Sequence, residues 1–203
     1  MIATNPVDVL TYTMQELSKR PKSKIIGTGT MLDTSRLRQV LGSKYNVNPK
    51  SVHGYILGEH GDSELAAWST CTIGGLPLKS NSACLGIRWN EEEMEQLFIR
   101  VRDAAQEIIA AKGYTNLAIG CVLKSLIECI LHDSRSILPV SVRLEGEYDL
   151  NEVCLSVPCR IGKDGIDGRP IVLELEETEK KALHASAAVL KGHIKGMNLG
   201  SNL

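Results

Sequence analysis

The stretch that most constrains this chain is residues 52–64, V-H-G-Y-I-L-G-E-H-G-D-S-E. Residues 52–57 alternate with the period of two that marks a strand. Gly58 and Gly61 then bracket Glu59-His60, a spacing that predicts a tight turn lifting one imidazole off a rigid strand end. Just upstream, residues 27–38 read G-T-G-T-M-L-D-T-S-R-L-R. A helix is predicted over 32–41, on which Asp33 and Arg36, three apart, share a face. Arg36 and Arg38, two apart, point to nearly opposite sides, so one can enter a pocket while the other faces solvent or a second subunit. Histidine, aspartate and arginine together suit one task, moving a proton on a small substrate that carries a carboxylate.

Composition narrows the setting. A chain of 203 residues can bury a sizeable core in one domain or two. With 43% hydrophobic and 23% charged residues it reads as an ordinary soluble globular protein. A net charge of −1 gives no electrostatic reason to expect nucleic acid or an anionic membrane as partner. The first ten residues lack a basic segment, and Asn5-Pro6 and Asp8 interrupt the apolar run, so no secretory signal is expected. The six cysteines form no C-x-x-C pair and match no zinc spacing. They read as small apolar core residues in a reducing, cytoplasmic setting, with no metal site expected.

Residues 1–4 look like the tail of a buried strand. A helix is predicted to follow, with Asn5 as N-cap, Pro6 at its first position, and Val7, Leu10, Met14 and Leu17 as the buried stripe. Residues 24–26 read as a short strand before the glycine turn of 27–30. That turn has G-x-G, but Leu32 stands where a third glycine belongs and no G-K-[ST] follows, so glycines turning the chain are preferred to a phosphate loop. Residues 70–78 predict two extended segments around Gly74-Gly75. Residues 90–112 predict a long helix capped by Asn90, with Met94, Leu97, Phe98, Val101, Ala105, Ile108 and Ile109 inward. Residues 117–132 predict a second helix, apolar on several sides and so central. Strands are predicted over 137–144, 153–161 and 171–175, with Pro158 marking an edge or a bulge. A terminal helix spans 177–194, and residues 196–203 should fray.

Four motifs occur in one order: Asn5-Pro6-Val7-Asp8, Asp33-x-x-Arg36, Gly58-Glu59-His60-Gly61-Asp62-Ser63 and Gly113-Tyr114-Thr115. Together they closely resemble the lactate/malate dehydrogenase superfamily, and within it the bacterial L-lactate dehydrogenases. The resemblance runs along the whole chain but covers only the C-terminal part of that family. It implies an α+β fold, the family's C-terminal domain of antiparallel strands packed by long helices. To this it adds an incomplete Rossmann sheet edge, with residues 1–30 a remnant of the dinucleotide-binding domain and 31–203 the substrate domain. It implies hydride transfer between NAD and the carbon of a small 2-hydroxy or 2-oxo acid, in a cytoplasmic homo-oligomer, a tetramer of glycolytic fermentation.

By the same resemblance His60 is the acid/base, for which an unperturbed pKa near ~6.5 is suited in both directions. Asp33 fixes its tautomer and Arg36 grips the substrate carboxylate with a planar fork. Asn5 matches a residue near substrate and nicotinamide, Thr115 a substrate-pocket residue and Ile119 an apolar wall beside the nicotinamide. Arg38 and His53 match the pair that binds a fructose 1,6-bisphosphate effector across a subunit interface; a solvated Arg38 and a strand His53 facing a neighbour are the plain alternative. The family's G-x-G-x-x-G half and its mobile loop have no counterpart here. The chain therefore resembles a truncated enzyme that is inactive by itself. A malate dehydrogenase fragment and a non-catalytic oligomerisation module are the competing readings.

Overall fold

The computed structural model describes residues 1–81 and 83–197. Its centre is a long antiparallel hairpin. Strand β6 (Ser136–Glu145) pairs with β7 (Asn151–Gly162) from Ser136↔Ile161 to Glu145↔Asn151, and the short β8 (Gly165–Ile166) adds to the far side of β7. Alternation of Val140, Val142 and Leu144 against Val153, Leu155 and Val157 buries both strands, because helices cover them. Helices α1 (Val7–Leu17), α4 (Leu117–Leu131) and α5 (Glu177–Gly196) all pack on this hairpin.

A second core forms beside it. Helix α2 (Met31–Lys44) and helix α3 (Glu91–Lys112) close over small antiparallel sheets. One is β1 (Val52–His53), β4 (Thr72–Ile73) and β5 (Leu76–Pro77); the other pairs β2 (Ile56–Leu57) with β3 (Leu65–Ala66). Leu37, Leu41, Val52, Ile56, Ile73, Met94, Phe98 and Val101 fill it. The predicted strand over 52–57 is thus two short strands, each with its own partner. The Asn90 side chain accepts the Glu93 N–H, as the sequence implied, and Gly113 ends α3 in the left-handed region.

The first helix departs from expectation. It starts at Val7, with Pro6 in extended conformation at the N-cap and the Asn5–Pro6 peptide bond cis. Its buried face is Val7, Asp8, Thr11 and Gln15, while Met14 and Leu17 are exposed. The polar stripe is inward because each member finds a partner: Thr11 Oγ1 donates to the Val7 carbonyl at 2.7 Å, and Gln15 Nε2 to the Ile25 carbonyl at 3.2 Å. Gly27 permits that approach, since a Cβ there would lie 2.3 Å from Thr11 Oγ1.

Other expectations are corrected more locally. Lys22–Lys24 is a 3-10 turn, because the Lys24 and Ile25 N–H groups bond back to Pro21 and Lys22; sheet pairing begins only at Gly27. There Gly27 bridges Ile2 in parallel and Ser141 in antiparallel fashion, a narrow strip that joins residues 1–30 to the hairpin. The register shift falls at Leu144/Glu145, not at Pro158, which faces Pro139 across the ladder. Residues 171–175 form no strand: they alternate in burial, but their N–H groups go to the Pro158 carbonyl and the Tyr148 hydroxyl. Helix α4 is peripheral, with Val122 and Leu126 buried and Leu117, Ile127 and Leu131 exposed. In α3, Met94, Phe98 and Val101 are buried, Leu97, Ala105 and Ile108 are half-buried, and Ile109 is exposed. Cys71, Cys154 and Cys159 are core residues, but Cys84 and Cys121 are exposed. No helix among the described residues is long and apolar enough to cross a membrane. Of the terminus expected to fray, residues from 198 onward lie outside the described ones.

Candidate functional site

The turn after β2 is held from two directions. Gly58, at φ 91°, exchanges backbone hydrogen bonds with Ser156 of β7 at 3.0 and 2.8 Å. The Glu59 N–H donates to Ser186 Oγ of α5 at 2.8 Å, and a Cβ on Gly58 would lie 2.7 Å from that same oxygen. Glycine is therefore required on both conformational and steric grounds. The turn projects His60 toward the first turns of α1 and α2.

On α2, Asp33 is 2% exposed and uses its two oxygens separately. Oδ2 lies 2.7 Å from His60 Nδ1, and Oδ1 accepts from Arg36 Nη1 at 3.3 Å. The expected trio is thus one connected unit. Arg36 Nη2 is buried and has no partner. An unpaired buried donor beside a paired one leaves half of a guanidinium fork available to an incoming anion.

Two further carboxyls, which the sequence did not single out, complete the surroundings. Asp8 Oδ2 accepts the His60 backbone N–H at 2.8 Å. The signal for Asp8 lay in the helical spacing of Asp8, Thr11 and Gln15, a polar stripe that a core helix can bury. Glu64 is buried three residues after Gly61, with Oε1 unpartnered. One ligand-capable atom each from Asp33, His60 and Glu64 lies within 4.8 Å of the others. The sequence expectation of no metal-ligating group meets a cluster here, although the Arg36 guanidinium on Asp33 competes with any cation.

Electrostatics follow from burial. Burial alone would lower the His60 pKa, but the hydrogen bond and charge of Asp33 and the charge of Asp8 outweigh it, and the imidazole is held above its ordinary value. Burial pushes Asp8 up to about 6 against its hydrogen bonds and the nearby imidazole. Burial, with the neighbouring charge of Asp33, pushes Glu64 up to about 9 despite Arg36 and Arg102. The site at neutral pH therefore holds an ionised Asp8 and a neutral Glu64, beside an imidazole whose protonated form is favoured by Asp33 and Asp8.

The other expected residues sit at varied distances from this unit. Asn5 is exposed, three residues before Asp8, and so at the end of α1 that meets the histidine turn. Thr115 is half-buried between α3 and α4; Ile119, in the first turn of α4, packs on the hairpin core. Arg38 turns away from Arg36: Nε donates to the Gly54 carbonyl at 3.1 Å and the guanidinium stacks 5.2 Å from the Tyr55 ring. This carries Arg38 to the residue next to exposed His53. The glycine turn at 27–30 is buried, and a Cβ on Gly29 would meet Ser156 Oγ at 2.4 Å and the Ser141 nitrogen at 2.6 Å, leaving no room for a phosphate.

Residues 30–198 match the model of the lactate/malate dehydrogenase α/β C-terminal domain. The chain belongs to the lactate/malate dehydrogenase family. An L-lactate dehydrogenase of Salinibacter ruber is 49% identical over 201 residues, 99% of this chain and 63% of the relative. L-lactate dehydrogenase 2 of Clostridium acetobutylicum is 43% identical over 198 residues, 98% of this chain and 61% of the relative. The crystal structure of the minor L-lactate dehydrogenase from Enterococcus mundtii in its ligands-bound form superposes with a TM-score of 0.91 at 40% identity, over 96% of this chain and 62% of that one. The dehydrogenase fold expected from the motifs is therefore the fold found, and the chain spans about three-fifths of the length of these relatives.

Proposed function

We propose that this chain carries the substrate-binding and acid/base portion of an NAD-dependent L-lactate dehydrogenase that interconverts L-lactate and pyruvate. The observation that carries the reading is the division of Asp33 between His60 and Arg36, with Arg36 Nη2 buried and unpaired. One carboxylate thereby sets the distance between a proton donor and an anion clamp, the two functions a 2-oxo acid requires.

In this reading Asp33 holds Nδ1, which leaves Nε2 of His60 to exchange the proton. Protonated, it donates to the 2-oxo oxygen; neutral, it accepts the hydroxyl proton. Arg36 takes the substrate carboxylate through the donor that lacks a partner. Asn5 and Thr115 line the substrate pocket, and Asn5 and Ile119 border the nicotinamide. NAD supplies the hydride carrier. The buried glycine turn at 27–30 leaves no room for its pyrophosphate, so Asn5 and Ile119 would meet only the nicotinamide end of the cofactor. Residues 1–30 belong to the nucleotide-binding side and 31–203 to the substrate side. The relatives named L-lactate dehydrogenase favour lactate over malate.

The bond of Arg38 to the carbonyl of Gly54, next in sequence to exposed His53, supports an anionic effector site of the fructose 1,6-bisphosphate kind, and the exposed apolar residues of α4 support homo-oligomerisation. The 203-residue chain alone should not oxidise lactate, because nothing anchors the dinucleotide at a helix N-terminus. The test is a chimera that places the N-terminal part of the Salinibacter ruber relative ahead of Met1. It should reduce pyruvate with NADH, and His60→Asn should abolish this. A folded, NADH-binding chimera without turnover would refute the reading.

A further inference from the structure

Three buried polar atoms without partners surround the Asp33–His60 pair: Asp8 Oδ1, Arg36 Nη2 and Glu64 Oε1. The reaction just described uses Arg36. It does not use Asp8, which is 2% exposed and lies 52 residues from His60 in sequence. A buried carboxyl is costly to fold even with the Ser141 hydroxyl beside it, so its location needs a physical account.

Geometry supplies one. Asp8 stands in the first turn of α1. Its Oδ2 takes the His60 backbone N–H at 2.8 Å, while Asp33 takes the ring at Nδ1 at 2.7 Å. The histidine is gripped at both ends, by one carboxylate on the backbone and another on the side chain. The grips come from different helices.

We propose that Asp8 is a positioning residue for the acid/base histidine: it fixes the height of the His60 turn through the backbone amide and adds a second negative charge that favours the imidazolium. Asp33 and Arg36 face His60 from α2, and Glu64 brings a carboxyl within 4.8 Å of the ring; Ser141 of β6, Glu59 and the Cys154 thiol of β7 neighbour Asp8. Of these, Arg36 opposes the imidazolium, while Asp33 and Asp8 support it. With Asp8 pushed up to about 6, it is ionised at neutral pH and supplies that charge where the reaction needs it. As pH falls the imidazole takes up its proton before Asp8 does, and the charge each places on the other links their titrations.

The inference deepens the reading of His60 as the acid/base, and its test needs neither cofactor nor turnover. Imidazole NMR of the 203-residue chain follows His60 alongside His53, His132, His184 and His193, four internal controls. Asp8→Asn keeps an acceptor for the amide but removes the charge. It should lower the His60 pKa by roughly half a unit to one unit and leave the other four unchanged. Asp8→Ala also removes the acceptor and should accelerate amide exchange at His60. In the unmodified chain, the Asp8 carboxyl carbon and the His60 ring should share inflections as pH is varied. An unaltered His60 titration in Asp8→Asn, or independent single inflections in the unmodified chain, would overturn the proposal. Normal coupling with an inactive chimera would instead refute the dehydrogenase reading and leave this one standing.

Discussion

The β6–β7 hairpin and helix α4 are both rich in apolar residues, yet they use them in opposite ways. On the hairpin, Val140, Leu144, Val153, Leu155 and Val157 are fully enclosed. On α4, Leu117 is 74% and Leu131 73% exposed, although the helix is the more hydrophobic of the chain's long ones by sequence. The hairpin is closed by this chain's own helices; α4 buries one stripe and offers the rest outward. Apolar content alone therefore measures what an element will bury against something, not what it buries within one polypeptide. The Asp33–His60–Arg36 cluster lies between these regimes, largely buried but with polar atoms still unpaired.

Substitutions can break this contrast. Leu155→Ala should cost about 3 kcal/mol, the lost transfer energy plus a cavity that packed neighbours cannot fill. Urea unfolding of the chain measures it, and a loss below ~1 kcal/mol would mean the hairpin is looser than its burial implies.

The site should respond to pH rather than to packing. Glu64 has its carboxyl raised to about 9 from 4.5, so the folded chain holds a proton that the unfolded chain releases. Its favourable state is complete below pH 4.5, and stability falls as pH rises toward about 9. Glu64→Gln copies the neutral acid without titrating. It should gain on the parent by roughly 1–3 kcal/mol at neutral pH, with the advantage growing up to pH ~9. Stability curves that run parallel from pH 5 to pH ~9 would refute a neutral Glu64.

The smallest effect belongs to α4. Leu131→Ala should change unfolding by less than ~0.5 kcal/mol, since little surface leaves water. The same substitution paired with Leu117→Ala should weaken self-association in sedimentation. A monodisperse monomer before substitution would show that this face has no partner in another copy.

Sequence made the chemistry legible where the spacing was local. Asp33 and Arg36 lie one helical turn apart, and two glycines set off His60, so both their proximity and their chemistry could be inferred. The Asp8 contact spans 52 residues and depends on which face of α1 turns inward. Apolar periodicity pointed to Leu10, Met14 and Leu17, whereas hydrogen-bonding capacity selected Asp8, Thr11 and Gln15. The strand expected at 171–175 failed for a related reason. Its alternation is real, but a ladder also needs a neighbouring strand, and its donors found a carbonyl and a tyrosine hydroxyl instead. The centrality expected of α4 treated composition as burial.

The hydrogen bond from Glu59 to Ser186 has a mechanical consequence. Ser186 sits near the middle of α5, a helix of 20 residues and so about 30 Å long. One end of that rod is anchored where Glu179 accepts the Ser69 N–H and caps the helix beside Glu176. The other end runs on past Leu190 to the exposed Gly196. Between them Leu183, Ala187 and Leu190 are buried against the hairpin, so the Ser186 hydroxyl is held as firmly as the core itself. In engineering terms α5 is a brace: through Ser186, which also meets Ser63 Oγ at 2.9 Å, it lends the histidine turn the stiffness of a packed helix.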